Sequence, residues 1–340
     1  MLFISEKDVE ALVSVDMVIE SAVAAYSSFS DGRANIPLRA EIHRRGPDGL
    51  MLIMPGLVDD TIGVKVGGSV VSASDPGKRH TTVMLLVWDA HTLEPRGLIS
   101  GDKLNDHRTA GGFAAATRVL ARPDSQTHVI FGAGKLGFES ALYIAAVLPL
   151  RRIVICNRTR DRADALAARI RADHRFAGMD VLTDMAPDDA VASADVITAI
   201  TRSDAPVFDG RLVRDGTHIN LGGANKPHQR EMDDGVASRA AFWLDSDEGC
   251  QARAGDIILP LASGAVTPSQ IKGEIGLALL TRLEGRTSPG QITAFKSLGI
   301  ATQDLVLAAS ILTAAETRGI GLEVDHIGDG RVRRAREPHP

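Results

Sequence analysis

Cysteine is scarce in this chain: Cys156 and Cys250 are the only two among 340 residues, and they form no CxxC pair. This argues against a disulfide framework or a structural zinc site and suits a reducing compartment, so we expect no metal. No run of 18 apolar residues occurs, which predicts no membrane span. The N-terminal segment mixes acidic residues among its apolar ones and lacks the apolar core of a signal peptide. We therefore expect a cytoplasmic protein.

Excess positive charge is also lacking. The formal net charge is −5, which predicts neither a nucleic-acid partner nor a membrane surface as partner. The one basic cluster lies in the C-terminal tail, where a solvated terminus is its simplest interpretation; it consists of Arg331, Arg333, Arg334 and Arg336. With 44% hydrophobic and 24% charged residues, a chain of this length has the composition of a globular protein with two domains.

The order of apolar patterns divides the chain into three parts. Residues 6–31 have helical spacing, residues 36–104 contain short apolar runs separated by turn residues, and residues 108–121 return to a helix. From residue 127 strands alternate with helices, which predicts an α/β fold with a doubly wound parallel sheet. The predicted strands are 127–131, 152–156, 180–182, 195–200, 217–223 and 240–245. A last long helix, 300–318, is expected to return and pack on the N-terminal part.

The first of these strands leads into a G-x-G-x-x-G loop that opens a helix. Its glycines are Gly132, Gly134 and Gly137. They serve a tight turn, a close backbone approach to a pyrophosphate and close helix–strand packing, and the helix N-terminus attracts the phosphates. The surrounding strand and helix make this a Rossmann dinucleotide site. The intervening loop residues, expected to touch the cofactor as well, are Ala133, Lys135 and Leu136.

The end of the second strand bears on which dinucleotide is bound. NAD-binding proteins usually carry an acidic residue there for the ribose hydroxyls, whereas this chain has Asn157, Arg158 and Thr159. Arg158 can pair with a 2′-phosphate, and its neighbours can donate hydrogen bonds to it. NADP(H) is therefore preferred, with NAD(H) as the alternative. In the other interpretation, Arg158 and Arg160 are solvated residues at the start of a helix.

Three segments give the chain a resemblance to the ornithine cyclodeaminase/μ-crystallin family: IMPG at 53–56, RTA at 108–110 and FKSLGIATQD at 295–304. The resemblance extends from IPLR at 36–39 to the C-terminal helix. It implies a Rossmann domain, 113–299, and a second α+β domain for substrate binding and dimerisation, built from 1–112 and 300–340. It also implies a homodimer whose small-molecule partner is an imino or amino acid.

The resemblance further implies that Arg39, Lys65 and Arg108 surround the α-carboxylate of a substrate. The chemistry agrees, because guanidinium groups bind a planar carboxylate well and a lysine adds a point charge. Lys65 lies in an apolar strand, where a charge is costly unless it is paired or functional. Arg39 could instead pair with Glu41, and Arg108 could form a surface ion pair.

Other site residues are expected around this clamp. His80 could supply a proton, although a surface histidine is equally compatible and the register leaves Thr81 and Thr82 as candidates. Met54 is expected to contact the substrate, and His218 and Asn220 to lie near the nicotinamide. The remaining expected cofactor contacts are Thr109, Thr198, Thr201 and Gly222.

Two departures from the family pattern bear on the reaction. Ornithine cyclodeaminases carry a glutamate at the position of Leu52 and a catalytic aspartate at that of Asn225. The amide of Asn225 cannot act as a general base, as an aspartate can. Both argue against ornithine cyclisation. The leading hypothesis is an imino-acid (ketimine) reductase or amino-acid dehydrogenase; a cyclodeaminase and a non-catalytic NADPH-dependent ligand-binding protein are the alternatives. Cations at Arg44, Arg45 and Arg79 keep a dicarboxylic imine among the candidate substrates.

Overall fold

The computed structural model describes residues 1–37, 39–43, 49–72 and 79–324. Leu38 of the IPLR segment, Arg44, Arg45 and the tail arginines lie outside the described residues, and of Arg79 only the backbone is described. The elements of the first part are β1 (Leu2–Ile4), α1 (Glu6–Leu12), α2 (Val15–Ser30), β2 (Ala34–Asn35), β3 (Ala40–His43), β4 (Gly49–Val58), β5 (Thr61–Val71), β6 (Arg79–Asp89), β7 (Pro95–Ser100) and α3 (Gly101–Leu120).

The second part alternates strands and helices. Its elements are β8 (Thr127–Phe131), α4 (Leu136–Val147), β9 (Arg152–Cys156), α5 (Arg160–Arg171), β10 (Asp180–Leu182), α6 (Pro187–Ser193), β11 (Val196–Ala199), β12 (His218–Leu221), α7 (Asp234–Ala237), β13 (Ala240–Leu244), α8 (Asp247–Arg253), α9 (Gly255–Ser263), β14 (Ile271–Glu274), α10 (Ile275–Leu279), β15 (Ile292–Lys296), α11 (Ala301–Arg318) and β16 (Leu322–Glu323).

The first sheet has the order β16-β1-β7-β6-β5-β4-β2, with β3 also paired to β4. The strands from β4 to β7 form an antiparallel meander, as the short apolar runs predict. One face of this meander packs on α11, so residues on that face are buried between sheet and helix. The opposite face carries apolar residues that stay half-exposed or exposed.

The second sheet is parallel throughout, in the order β10-β9-β8-β11-β12-β15-β13-β14. This confirms the predicted doubly wound α/β fold, and the bounds of β8, β9 and β10 agree with the predicted strands. Strand β15 was not among the predicted strands; it inserts between β12 and β13 although it follows both in sequence.

The C-terminal helix returns to the first part of the chain, as expected. Helix α11 packs on α2, α3 and the first sheet, and β16 pairs with β1. Helix α3 contacts α2 as well as β12 and β15, and its Phe113 packs edge-to-face on Phe295 at a centroid distance of 6.5 Å. The predicted domain boundary at residue 112 therefore falls inside one continuous helix that touches both sheets.

Within the described ranges, no helix combines the length and apolarity needed to cross a bilayer.

Candidate active site

Lys65 lies on the face of the first sheet that α11 covers. In the register of the sheet it stands opposite Met54 on β4 and Leu85 on β6, and only 7% of it is exposed. Its Nζ donates to Asn105 Oδ1 at 2.8 Å and to Asp304 Oδ1 at 2.9 Å. The strand therefore places the ammonium between α3 and the first turn of α11.

Arg108 reaches the same carboxylate from α3. Its Nε lies 3.2 Å from Asp304 Oδ1, and its Nη2 donates to Asn105 Oδ1 at 2.8 Å. Gly299 makes this approach possible, because a Cβ there would overlap the guanidinium and its φ of +82° suits glycine. Asp245 holds the loop in place by accepting the Leu298 and Gly299 N–H groups, each at 2.7 Å.

This cluster of Lys65, Arg108, Asn105 and Asp304 carries two cations against one buried carboxylate. Burial lowers the pKa of Lys65 to about 8, the Asp304 carboxylate opposes this shift, and Arg108 adds to it. The second oxygen of Asp304, Oδ2, is buried without a hydrogen-bond partner among the described residues. The surplus positive charge suits an incoming anion such as a carboxylate.

Sequence reasoning missed Asp304 and Asn105 as members of the site. Asp304 is the last residue of the FKSLGIATQD segment and is 1% exposed, so a carboxylate in the buried face of an otherwise apolar helix was the available signal. Asn105 precedes Arg108 by three residues, a spacing that places two side chains on one helix face.

The structure gives the other predicted substrate residues different surroundings. Arg39 Nε lies 3.2 Å from Glu41 Oε1, the ion pair that was its alternative interpretation. Glu41 also lies 3.9 Å from Arg253 Nη1, on α8 of the second part of the chain. Met54 is half-buried beside Lys65.

His80 and Thr81 are not brought to this cluster. Both are exposed on β6, and His80 Nε2 lies 3.2 Å from Thr82 Oγ1. His80 is five residues from Leu85, the strand partner of Lys65, or roughly 16 Å along the strand. Asn225 is exposed in the loop after β12. Catalytic roles for these residues stay predictions.

The glycine-rich loop between β8 and α4 has the geometry expected for a pyrophosphate. Gly132 has φ +116°, which favours glycine, and Gly137 allows close packing, because a Cβ there would lie 2.6 Å from Leu166 Cδ2. A Cβ on Gly134 would meet no atom within 4 Å, which leaves the open side from which phosphates could reach the N–H groups of the loop. These residues fit a dinucleotide.

Asn157 supports this loop instead of standing free. Its Oδ1 accepts from Ala133 N at 3.1 Å, and its Nδ2 donates to Thr159 O at 2.8 Å. Arg158 is exposed beside it. Arg160, in contrast, is paired within the chain: its Nε lies 3.1 Å from Asp164 Oδ2, and its Nη2 donates to the Thr183 hydroxyl.

Some expected cofactor contacts have internal partners. The Thr198 side chain is fully buried, and its hydroxyl lies 2.8 Å from His128 Nε2 on the neighbouring strand; its contact with the cofactor stays a prediction. His218 and Asn220 are likewise fully buried, and His218 Nε2 lies 3.2 Å from Asn220 Oδ1; their position near the nicotinamide stays a prediction. The Thr109 hydroxyl donates to Asn105 O at 2.7 Å.

Thr201 and Gly222 do lie at the carboxyl edge of the second sheet, in the loops after β11 and β12. The Thr201 N–H and hydroxyl both donate to Glu231 Oε1, at 2.5 and 2.8 Å. Gly222 lies against Phe113, whose ring a Cβ would overlap. In parallel α/β sheets this edge is where ligands bind.

The site can now be compared with those of known proteins. A model of the ornithine cyclodeaminase/μ-crystallin family matches residues 1–318. The chain belongs to this family. Membership confirms the resemblance seen in the sequence.

Three relatives illustrate the match. The chain is 30% identical to a Δ1-pyrroline-2-carboxylate reductase of Bacillus cereus over 96% of its own length and 100% of the relative. It is 28% identical to the ketimine reductase mu-crystallin of Mus musculus, over 85% of its own length and 88% of the relative. The third is a solved structure of Thermococcus litoralis Δ1-pyrroline-2-carboxylate reductase in complex with NADH and L-proline. Its sequence is 28% identical, and it superposes with a TM-score of 0.87 over 95% of this chain and 100% of the other.

Proposed function

We propose that this protein is an NAD(P)H-dependent reductase of imino acids, acting on the C=N bond of an α-carboxylate substrate, or an amino-acid dehydrogenase in the reverse direction. The observation that carries the proposal is the pairing of the buried Lys65 and the half-buried Arg108 with the single carboxylate of Asp304. The names of the relatives, Δ1-pyrroline-2-carboxylate reductase and ketimine reductase, support it.

The residues of the cluster would divide the work. Arg108 and Lys65 would bind the substrate carboxylate, and Asn105 would keep them a fixed distance apart through its shared Oδ1. When bound, the reduced nicotinamide supplies the hydride. The Lys65 ammonium, whose pKa is about 8, can hold near neutral pH the proton that the substrate nitrogen must receive.

We propose the same division of labour between the two parts of the chain that the sequence suggests. Residues 113–299 would bind the cofactor, and residues 1–112 with 300–340 would bind the substrate and a second copy. The two sheets and the return of α11 to the first sheet support this division. The cytoplasmic location stays a prediction.

The substrate class is tested by following NADPH oxidation with a panel of imino acids. Δ1-pyrroline-2-carboxylate, Δ1-piperideine-2-carboxylate, pyruvate with ammonia and a dicarboxylic imine should include at least one substrate that is reduced to the amine. NADPH and imino-acid binding without turnover would favour the ligand-binding alternative. Conversion of ornithine to proline and ammonia, with no net change in the cofactor, would favour a cyclodeaminase.

We propose NADP(H) as the preferred cofactor, because Arg158 is exposed beside the glycine-rich loop and no acidic residue ends β9. Arg158→Ala should lower the preference for NADPH over NADH in kcat/KM by about ten- to a hundredfold, the value of one charge-assisted contact. Arg160→Ala is the matched control, since Arg160 is already paired with Asp164. An unchanged ratio in Arg158→Ala would mean that the 2′-phosphate site is misassigned.

We propose a homodimer that buries the outer face of the first sheet. Ile53, Val66 and Met84 are cross-strand neighbours on that face, and Met84 is 46% exposed. An apolar sheet face of this kind marks an interface, and a second copy of the chain can cover it symmetrically.

Val66→Asp should convert the dimer into monomers at micromolar concentration, since it would bury a carboxylate at the centre of the interface. Light scattering would measure the mass. Leu93→Asp is the control, because Leu93 is 63% exposed in the turn between β6 and β7 and not on this face. A wild-type chain that is monomeric at that concentration would refute the proposed dimer.

A further inference from the structure

A second buried ionic cluster lies at the carboxyl edge of the second sheet. Glu231, Asp256 and Lys296 are each fully buried. Lys296 Nζ donates to Asp256 Oδ2 at 2.8 Å and to the Ala224 carbonyl at 2.6 Å. Asp256 Oδ1 accepts the Glu231 backbone N–H at 2.6 Å. The three side chains therefore form one network with the backbone around them.

Glu231 ties together the two loops that follow β11 and β12. Its Oε1 accepts both donors of Thr201, and its Oε2 accepts the N–H groups of Gly223 at 2.7 Å and Ala224 at 3.2 Å. Backbone N–H groups can only donate, so this arrangement favours the ionised carboxylate. Burial raises the pKa of Glu231 and the Asp256 carboxylate adds to the rise, while the Lys296 ammonium and the Thr201 hydrogen bonds oppose it.

The charges of this cluster do not balance. Two carboxylates, Glu231 and Asp256, share one ammonium, and among the described residues Lys296 is the cation that pairs within the cluster. Nearby, burial raises the pKa of the Cys250 thiol, which keeps it neutral. An excess of negative charge therefore lies directly behind the Thr201 and Gly222 loops.

These loops line the crevice in which a Rossmann sheet holds its ligand. The nicotinamide ring carries a positive charge when oxidised and none when reduced. We propose that Glu231 is a positioning residue for the cofactor. Its buried charge strengthens the binding of the oxidised nicotinamide dinucleotide relative to the binding of the reduced form. This inference rests on the proposed function, because it requires a nicotinamide dinucleotide at this edge.

The proposal gives the cleft two walls of opposite charge. Strand β5 and helix α3 supply the cations of the Lys65–Arg108 cluster, which suits a carboxylate. The second sheet supplies the anionic cluster, which suits a ring that becomes cationic when it is oxidised. Fixed charges that match the charge formed in a reaction act without reorganisation and lower its barrier.

The test is equilibrium binding of NADP⁺ and NADPH in the absence of substrate. NADPH is followed by its own fluorescence, and NADP⁺ by competition with it. Glu231→Gln should raise the ratio of the two dissociation constants, NADP⁺ over NADPH, by about tenfold, as expected for one charge acting across a partly desolvated site. Asp256→Asn removes a charge from the same cluster and should change the ratio in the same direction.

Asp195→Asn is the matched control. Asp195 is a largely buried carboxylate that pairs with Arg122 and Arg214, and it directly precedes β11 at the opposite edge of the same sheet. The ratio should stay within about twofold of wild type in this variant, since its charge is far from the crevice.

The possible results test the charge role of Glu231 separately from the proposed function. A folded Glu231→Gln protein that binds both forms more weakly by the same factor, or equally well, overturns the charge role. If Glu231→Gln does not fold, Asp256→Asn decides, and an unchanged ratio there overturns the proposal. A wild-type protein that binds no nicotinamide dinucleotide would refute the proposed function itself.

Discussion

Substituting Lys65 by methionine is expected to lower kcat/KM for the imino acid by about 30- to 1,000-fold, equivalent to about 2–4 kcal/mol of transition-state stabilisation. The variant loses the ammonium that Asp304 and Asn105 hold at 2.9 and 2.8 Å. Methionine has a stem of similar volume, and Asp304 keeps Arg108 as its partner, so the fold should be retained. Dissociation constants for NADPH should change little.

Two comparisons make this result specific. Lys103→Met, on α3 and paired with Glu10 at 2.8 Å, should leave kcat/KM within about twofold of wild type. In the wild-type protein kcat/KM for reduction should fall as the pH rises above about 8, because the Lys65 ammonium then loses its proton. The methionine variant should lack that decline. A folded variant with near-wild-type efficiency would make Lys65 structural.

The second half of the fold was the more predictable half from sequence. Buried parallel strands are continuous apolar runs, so β8 and β9 could be located to the residue, and the glycine-rich loop between β8 and α4 specified their connection. Strand β15 was missed because its place between β12 and β13 depends on pairing with strands distant in sequence. Sequence periodicity carries no information on such spatial order.

The active site was predictable only in part, for a related reason. Lys65 and Arg108 were found through segments that resemble the family. Asp304 was missed because its role lies in a contact with Lys65 across 239 residues of sequence. The direction of the Thr198 side chain was equally hidden, because it depends on the pleat of β11, which turns the hydroxyl towards His128 inside the sheet. The cluster of Lys65, Arg108 and Asp304 becomes visible only once β5, α3 and α11 are packed together.

Replacing Asp304 by asparagine is expected to give a loss of activity that depends strongly on pH. The carboxylate raises the pKa of Lys65, and Arg108 lowers it, so removing the carboxylate should bring that pKa below about 8 by roughly one to two units. The Lys65 ammonium would then lose its proton at a lower pH. Near pH 8 we expect kcat/KM to fall by about five- to fiftyfold, and near pH 6 by no more than about twofold.

The pH profile distinguishes this role from simple structural support. Asparagine keeps the volume of the side chain and an oxygen that Lys65 and Arg108 can reach, so the free energy of unfolding should fall by about 1–3 kcal/mol without loss of the fold. Glu316→Gln, on the same helix and paired with Arg96 at 2.9 Å, should leave the pH profile unchanged. If Asp304→Asn loses the same factor at every pH, Asp304 only supports the geometry of the cluster. Recovery of activity at low pH would show instead that the charge of Asp304 keeps Lys65 protonated.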